Sequence, residues 1–321
     1  MNAPNDVSLR AWAPAGVPEV REGDDLTTLL LAALDEDLAD GDVVLVTSKV
    51  VSKAEGSVRA STRDAELPGE TRRVVARRGP TTIVRNRLGL TMAAAGIDAS
   101  NVEPGYAVLL PRDPDASART LRAAIAERTG RNVAVVVTDT AGRAWREGQT
   151  DMAIGAAGLV VLESFVGRED AYGNPLVVTA PAVADELAAV AELAQGKLGA
   201  RPFAVVRGRA DLVLPAGEDG PGAAVLIRQE GSDFFGYGAR EAVVRALAGD
   251  PADRAPFGAP ATADDLAAAI AAVTGSTPTT SGASVVVTGA PAGVLHALAF
   301  AHGWTVTHED GRLSHLSPLT T

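Results

Sequence analysis

The segment 133–148 constrains the fold of this chain more than any other stretch. Its sequence is VAVVVTDTAGRAWREG, in which an apolar, mostly β-branched run leads directly into Thr138, Asp139 and Thr140. A continuous apolar run bounded by polar residues predicts a strand buried on both faces, as in sheets that carry helices on each side. A glycine-containing loop with Arg143 and Arg146 is expected to follow. We therefore expect an α/β fold, in the simplest case a doubly wound sheet that contains this strand.

A second apolar run has the same design. Residues 43–46 are apolar, and Thr47, Ser48 and Lys49 follow them, with Lys53 a few positions later. Open α/β sheets bind ligands at the carboxyl ends of their strands, so two polar clusters in these positions predict a functional site. The alternative is structural: an ordinary Asp-Thr turn after one strand, and a strand end with a surface lysine after the other.

The remaining pattern predicts further helices and a domain boundary. Either Asp24 or Asp25 is suited to cap a helix over residues 26–38. A break rich in Pro, Asp and Ala at residues 249–262 predicts a linker between a main domain, residues 1–248, and a small α/β unit of unknown role, residues 263–321. Other helices are expected over residues 116–129, 183–195, 239–247 and 263–273, with a charged helical segment over residues 70–78.

Composition excludes several function classes. The net charge of −11 argues against sequence-independent nucleic-acid binding, which depends on basic surfaces. Cysteine is absent and the four histidines all lie at or beyond residue 296, so chemistry in the main domain must use carboxylates, hydroxyls, lysines, arginines or a metal. No apolar stretch is long enough for a membrane span, and the amino terminus lacks the pattern of a signal peptide, so a cytoplasmic location is expected.

Phosphoryl transfer is the chemistry that suits such a domain. It needs a metal and cations on phosphate oxygens rather than histidine or cysteine side chains. Neither the P-loop pattern nor a dinucleotide fingerprint is present. Carboxylate and hydroxyl oxygens suit Mg²⁺ or Mn²⁺. The candidate residues for a metal- and nucleotide-dependent site are Asp98, Asp139 and Thr140, with Ser48, Lys53 and Asn101, although Asp98 and Asn101 also fit a local Asx turn.

Six segments, in order between residues 8 and 247, carry a family resemblance. They are DVVLVTSKVVSKAEG (42–56), NRLGLTMAAAGIDASNV (86–102), PRDPDASARTLR (111–122), VTDTAGRAWREGQTDMAIGAAG (137–158), ADELAAVAELAQGK (184–197) and AVVRG (204–208). With these segments the chain resembles the coenzyme F-420-0:γ-glutamyl ligase family, including the N-terminal ligase domain of its two-domain actinobacterial form.

The resemblance implies a fold and a reaction. The family fold is an α/β arrangement with mixed α+β sheets that forms an intertwined homodimer. The implied enzyme uses GTP to convert the carboxylate of the deazaflavin acceptor F-420-0 into an acyl phosphate. L-Glutamate then attacks it to form an amide, and further glutamates are added through γ-linkages. A metal-dependent phosphohydrolase and a non-catalytic nucleotide-binding protein remain the alternatives.

The resemblance also implies roles for particular residues. Asp139 and Lys53 are the expected catalytic residues. A divalent Mg²⁺ or Mn²⁺, with K⁺ as an additional cation, is expected on Asp98, Asp139 and Thr140. The GTP contacts are expected from Val17, Pro18, Glu19, Val20, Ser48, Lys53 and Asn101.

Two departures from the family pattern matter. Archaeal members tend to carry an acidic or amide residue where this chain has Lys197, so no metal contact is expected there. The segment after Gly249 is too short for the flavin-binding reductase domain of the two-domain form, so no flavin is expected.

Overall fold

The computed structural model describes residues 8–100, 102–233, 235–310 and 313–319. They form two compact units, one from residues up to 72 together with 85–227, and one from residues 73–84 together with those from 228 onward. This division follows packing and falls at different residues from the sequence-predicted boundary near Gly249. The assignment of the function to a main domain over residues 1–248 therefore stays a prediction.

The elements follow one another in mixed α and β order. They are β1 (Arg10–Trp12), α1 (Leu26–Ala33), β2 (Val43–Thr47), α2 (Ser48–Ala54), β3 (Val58–Arg59), α3 (Arg63–Glu70), β4 (Thr71–Arg78), β5 (Thr81–Asn86), β6 (Thr91–Ala93), β7 (Ala107–Val108), α4 (Pro114–Thr129), β8 (Ala134–Arg143), β9 (Arg146–Ala157), α5 (Val183–Gln195), β10 (Phe203–Arg207), α6 (Ala239–Ala248), α7 (Ala263–Thr274), β11 (Thr279–Ser281), β12 (Ser284–Thr288), α8 (Ala292–Ala301), β13 (Trp304–Glu309) and β14 (Leu313–Pro318).

A five-stranded sheet organises the first unit, with strand order β1-β10-β2-β8-β9. Strands β2 and β8 are parallel, with Val43 opposite Ala134 and Thr47 opposite Thr138. The other neighbouring pairs in this sheet are antiparallel. The expectation of an α/β fold with mixed sheets is confirmed, whereas the simpler doubly wound sheet is wrong because strands β9 and β10 run antiparallel to their neighbours.

Helices cover both faces of this sheet. Residues of β2 and β8 alternate between two cores, as strand geometry requires. One core joins the sheet to α1 and α4 through Val44, Val46, Val135, Val137, Leu30, Leu121 and Ile125. The other joins it to α5 through Val43, Leu45, Val136, Leu187, Ala188 and Ala191. The prediction that the apolar run at residues 133–137 is a doubly buried strand is confirmed.

Three local predictions are wrong. The segment predicted as a charged helix over residues 70–78 is strand β4 from Thr71 to Arg78, because its β-branched residues pair with β5 across the turn at Gly79. The 138–140 triplet does not end its strand, since β8 continues to Arg143 and forms a hairpin with β9. Helix α1 stops at Ala33 instead of residue 38. In a helix that continued to residue 38, the acidic side chains of the last turn would lie at the negative end of the helix dipole, which is unfavourable.

The second unit has a sheet and a core of its own. Its four-stranded sheet has the order β11-β12-β14-β13. Helix α7 lies where the sequence predicts a helix, over residues 263–273. Helices α7 and α8 pack on this sheet through a core of Leu266, Ile270, Val285, Val287, Leu295, Ala299, Trp304 and Leu316. Across the described parts of both units, no helix combines the length and apolar character needed to cross a bilayer.

Helix α1 provides a test of the capping prediction. Of the two candidate caps, Asp25 is the residue whose Oδ1 accepts the backbone N–H groups of Thr27 (2.9 Å) and Thr28 (3.2 Å). A hydrogen bond from Arg128 lowers the pKa of Asp25 to about 2. We expect Asp25→Ala to lower the free energy of unfolding at pH 7 by about 1 kcal/mol in urea titrations.

The lowered pKa of Asp25 also predicts how this stability difference changes with pH. A depressed pKa stabilises the folded state above the unfolded-state pKa, so the difference between wild type and Asp25→Ala should shrink as the pH falls from 4 towards 2. The exposed Asp35, changed to Ala, is the matched control and should leave the unfolding curve unchanged. A difference that grows on acidification would contradict the assignment.

Candidate functional site

The parallel pairing of β2 with β8 brings two distant polar residues together. Ser48 is the first residue of α2 and directly follows β2, while Asp139 lies one residue beyond the last β2–β8 pair. The Ser48 Oγ donates a hydrogen bond of 2.8 Å to Asp139 Oδ1, across 91 residues of sequence. Two residues predicted for the metal and nucleotide sites therefore contact each other.

Asp139 is a half-buried carboxylate in a negative environment. Burial is the largest cause that raises its pKa, to about 7, and the negative charges of Asp151 and Asp98 raise it further. The hydrogen bond from Ser48 acts in the opposite direction but does not outweigh them. A carboxylate in this setting is one that a bound cation would stabilise, so the residues present fit a divalent ion here.

Asp151 is a site residue that sequence reasoning missed. It lies on β9 opposite Thr140 and is 3% exposed. Its carboxylate accepts hydrogen bonds from Thr140 Oγ1 (2.7 Å) and Thr138 Oγ1 (3.2 Å). The hydroxyls at 138 and 140 alternate as in a strand, which is the signal that could have extended β8 and revealed its partner on β9.

The alternation along β8 also separates the predicted metal ligands. Neighbouring residues of a strand point to opposite faces of the sheet. Asp139 contacts Ser48 of α2, whereas Thr140 contacts Asp151 and Lys197, the latter just beyond α5. The predicted set of Asp98, Asp139 and Thr140 is therefore divided between two faces.

Asp98 is held by a lysine and by its own turn. The Lys49 Nζ lies 2.7 Å from Asp98 Oδ2, and Asp98 Oδ1 accepts the backbone N–H of Ser100 at 2.6 Å. Burial acts to raise the pKa of Asp98, but the hydrogen bonds from Lys49 and Ser100 outweigh it and the pKa is lowered. The Asx turn that was the structural alternative is present, and it orients a charged carboxylate. The other predicted member of this turn, Asn101, lies outside the described residues.

The end of α5 adds charges near Thr140. Lys197 Nζ donates to Thr140 Oγ1 at 3.2 Å. Glu192, one turn before the end of α5, has its pKa raised by burial and by the charge of Asp151, with Lys197 partly offsetting both. These residues carry charge around the Thr140–Asp151 pair, and neither was a candidate in the sequence.

A separate cavity contains part of the predicted nucleotide site. Its volume is about 380 Å³, and its lining includes Glu19, Val20, Lys53, Glu103 and Tyr106. Lys53 is only 8% exposed and forms an ion pair with Glu19, so it is not the surface lysine of the structural alternative.

The other two predicted contacts in the 17–20 segment have different surroundings. Val17 packs against the hydrophobic core, and Pro18 is exposed. The structure thus groups Glu19 and Val20 with Lys53, and groups Ser48 with the carboxylates.

No ready-made metal cage is present within residues 8–100, 102–233, 235–310 and 313–319, where no three His, Cys, Asp or Glu side chains converge as a binding group. Mg²⁺ commonly binds through one or two carboxylates and completes its shell with water and substrate phosphates. Asp98 and Asp139 match that kind of open site. The metal assignment stays a prediction.

Comparison with known proteins covers this whole region. The F420-0:gamma-glutamyl ligase family matches residues 16–68 and 65–208 of this chain. The coenzyme F420:L-glutamate ligase of Archaeoglobus fulgidus is 42% identical over 213 residues, covering 60% of this chain and 85% of that protein. The protein of the same name from Methanopyrus kandleri is 39% identical over 237 residues, covering 68% and 93%. All the site residues described above lie inside the family match.

Burial of the Asp139 charge predicts a gain of stability when that charge is removed. Because the pKa of Asp139 is raised to about 7, its ionised form costs folding free energy at pH 8. In metal-free protein with EDTA, we expect Asp139→Asn to raise the free energy of unfolding by on the order of 2 kcal/mol. Asparagine retains an oxygen that can accept from Ser48.

The matched control is Asp35→Asn at an exposed position, which should not change the urea midpoint. An Asp139→Asn protein that is no more stable than wild type would show that the carboxylate is adequately solvated or paired without a metal.

Proposed function

This chain belongs to the F420-0:gamma-glutamyl ligase family, and on that premise we propose that it joins L-glutamate to the deazaflavin precursor F-420-0 in coenzyme F420 biosynthesis. The proposed reaction uses GTP and continues with further γ-linked glutamates. The observation that carries the proposal is the contact between Ser48 and the half-buried Asp139, whose charge is close enough to Asp98 to be affected by it. Lys53, on the same helix α2 as Ser48, lines the cavity.

Helix α2 connects the two parts of the site. Lys49 and Lys53 are four residues apart and so lie on one face of the helix. Lys49 pairs with Asp98, while Lys53 lines the cavity and pairs with Glu19. A triphosphate held in the cavity by Lys53 can therefore extend along α2 towards the carboxylates.

The proposed chemistry has two balanced steps. First, a carboxylate oxygen of the acceptor attacks the γ-phosphorus of GTP, so that an acyl phosphate forms and GDP leaves. Then the amine of L-glutamate attacks the acyl carbon, the C–N bond forms as the C–O bond to phosphate breaks, inorganic phosphate leaves, and the nitrogen releases a proton to solvent. A divalent ion supplies positive charge to the phosphate oxygens during the first step.

The side chains of this chain prepare that step. Asp98 and Asp139 would hold the Mg²⁺ or Mn²⁺, and Ser48 fixes the orientation of Asp139 through its hydrogen bond. Lys53, nine-tenths buried, is suited to bind a phosphate oxygen when it exchanges Glu19 for the nucleotide. Thr140 and a K⁺ ion remain proposed as further parts of the site.

Direct assay of product tests the proposed function. The protein is incubated with F-420-0, L-glutamate, Mn²⁺ and GTP, and mass spectrometry is used to count added glutamyl units. We expect glutamylated product and glutamate-dependent GDP release, both abolished in Asp139→Asn and retained in Asp35→Asn. A parallel reaction with ATP tests the preference for guanine.

Other results would favour the alternatives. GDP release that needs no glutamate would indicate a phosphohydrolase. Binding of GTP without any turnover would indicate a nucleotide-binding protein. An Asp139→Asn variant with undiminished ligation would refute the role of that carboxylate.

We also propose a homodimer. Apolar side chains of the first unit are strongly exposed, among them Val178 (85%), Leu193 (86%) and Leu198 (98%). Exposed apolar side chains of this kind favour burial against a partner. Light scattering coupled to gel filtration should give twice the chain mass, and Leu198→Lys should shift the population towards the monomer. A wild-type mass equal to one chain would rule the dimer out.

A further inference from the structure

The cavity that Lys53 lines extends past a short pair of strands. Strands β3 and β7 are antiparallel, with Val58 opposite Val108. Helix α2 leads into β3, so Lys53 lies beyond one end of this pair, whereas the turn 103–106 leads into β7 and lies beyond the other end. Because both segments line the same cavity, a ligand that fills it can contact Lys53 with one end and the turn with the other.

The order of groups in a nucleotide decides which end receives the base. The proposed triphosphate runs from Lys53 towards the start of α2, where Lys49 pairs with Asp98. The ribose and the base leave the α-phosphate in the opposite direction, away from the start of α2. The base is therefore directed towards the turn 103–106.

The turn 103–106 carries groups that suit a purine base. The backbone N–H of Tyr106 donates to the carbonyl oxygen of Glu103 at 3.1 Å, so the carboxylate and the phenol ring belong to one tight turn. Tyr106 lines the cavity and is 40% exposed, and Val20 and Val58 add apolar surface to the lining. Nucleic-acid bases stack on aromatic side chains, whichever base it is. Tyr106 therefore provides a stacking surface that does not by itself distinguish guanine from adenine.

The carboxylate of Glu103 supplies the distinction. Its side chain is exposed, and within the described part of the chain no lysine or arginine forms an ion pair with it. Guanine presents two neighbouring donors, N1–H and the 2-amino group, and the two oxygens of a carboxylate can accept both. Adenine presents an unprotonated N1, whose lone pair would face the negative carboxylate. A base that reaches this turn is therefore bound more tightly if it is guanine.

The other carboxylates of the cavity lie at the α2 end. Glu19 forms an ion pair with Lys53. A β-carbon on Gly56 would lie 2.5 Å from Oε1 of Glu22, so this carboxylate lies against the backbone just after α2. Glu103 is thus the carboxylate that shares a turn with the stacking ring.

We propose that Glu103 selects guanine over adenine, by accepting hydrogen bonds from N1–H and the 2-amino group, while Tyr106 stacks on the base. Glu103 is then a specificity-determining residue, and Tyr106 is a binding residue for any purine. The inference deepens the proposed function and rests on its nucleotide site at Lys53.

Binding of nucleoside diphosphates tests this without any assay of activity. The full chain is titrated by isothermal calorimetry, in the presence of Mn²⁺, with the diphosphates of guanosine, inosine, adenosine and xanthosine. Wild type should bind GDP more tightly than ADP by on the order of 30-fold. Inosine diphosphate, which lacks only the 2-amino group, should bind about tenfold more weakly than GDP because one hydrogen bond to the carboxylate is lost.

The variant Glu103→Gln should change which base is preferred. Its amide oxygen can still accept N1–H, but its amide N–H now faces the 2-amino group of guanine, whereas it can donate to the 2-oxo group of xanthine. We expect GDP to bind about tenfold more weakly and xanthosine diphosphate about tenfold more tightly than to wild type. A gain of binding cannot result from misfolding. The matched control Glu22→Gln removes another carboxylate of the cavity and should keep the preference for GDP.

Two substitutions of Tyr106 test stacking. Tyr106→Ala should weaken binding of all four nucleotides alike, by about tenfold, because stacking on the ring is lost whichever base is bound. Tyr106→Phe keeps the ring and should bind as wild type does. Full affinity in Tyr106→Ala would overturn the role of the ring.

The outcomes separate this inference from the proposed function. If GDP is selected as described but F-420-0 gains no glutamate, the inference stands and the proposed ligation fails. If F-420-0 is glutamylated with GTP while Glu103→Gln keeps the wild-type order of nucleotides, the ligation stands and the inference is overturned. The inference is also overturned if wild type binds ADP as tightly as GDP, if it binds neither, or if Glu22→Gln is the variant that gains xanthosine diphosphate.

Discussion

The parallel pairing between β2 and β8 is the constraint on which the candidate site depends. It places the start of α2 beside the middle of β8, and so it brings Ser48 to Asp139. Parallel strands need a long connection, and here it contains a helix, α4, that covers one face of the sheet. The same connection that permits the pairing therefore also supplies a helix that packs on this sheet.

Electrostatic balance is the second feature of the site. The chain as a whole is acidic, and its candidate site concentrates carboxylates further instead of gathering arginines. Such a cluster is costly to bury unless cations are close to it. The structure meets that cost with lysines on both faces of the sheet, Lys49 on the α2 face and Lys197 on the α5 face. The remaining negative charge at Asp139 is what makes a divalent ion suitable there.

Much of the secondary structure follows from local pattern. The helix over residues 183–195 was predicted with its observed bounds, and the buried strand at 133–137 follows from its uninterrupted apolar run. The failures that concern strands have a common cause. Strands β4 and β9, and the second half of β8, contain many polar or charged residues, and they are strands because a partner strand supplies their hydrogen bonds. Local propensity does not contain that information.

By itself the sequence determined the classes of chemistry, because residue types are local facts. Without cysteine or early histidine, the domain is restricted to carboxylates, hydroxyls, lysines and arginines, and ordered motifs indicated the family. Only the tertiary structure decided which of these groups meet. The hairpin register places Asp151 opposite Thr140, and strand alternation sends Asp139 and Thr140 to opposite faces. The end of α5 then brings Lys197 to Thr140. These contacts join residues far apart in sequence, and they follow from strand pairing and helix packing, which no single segment specifies.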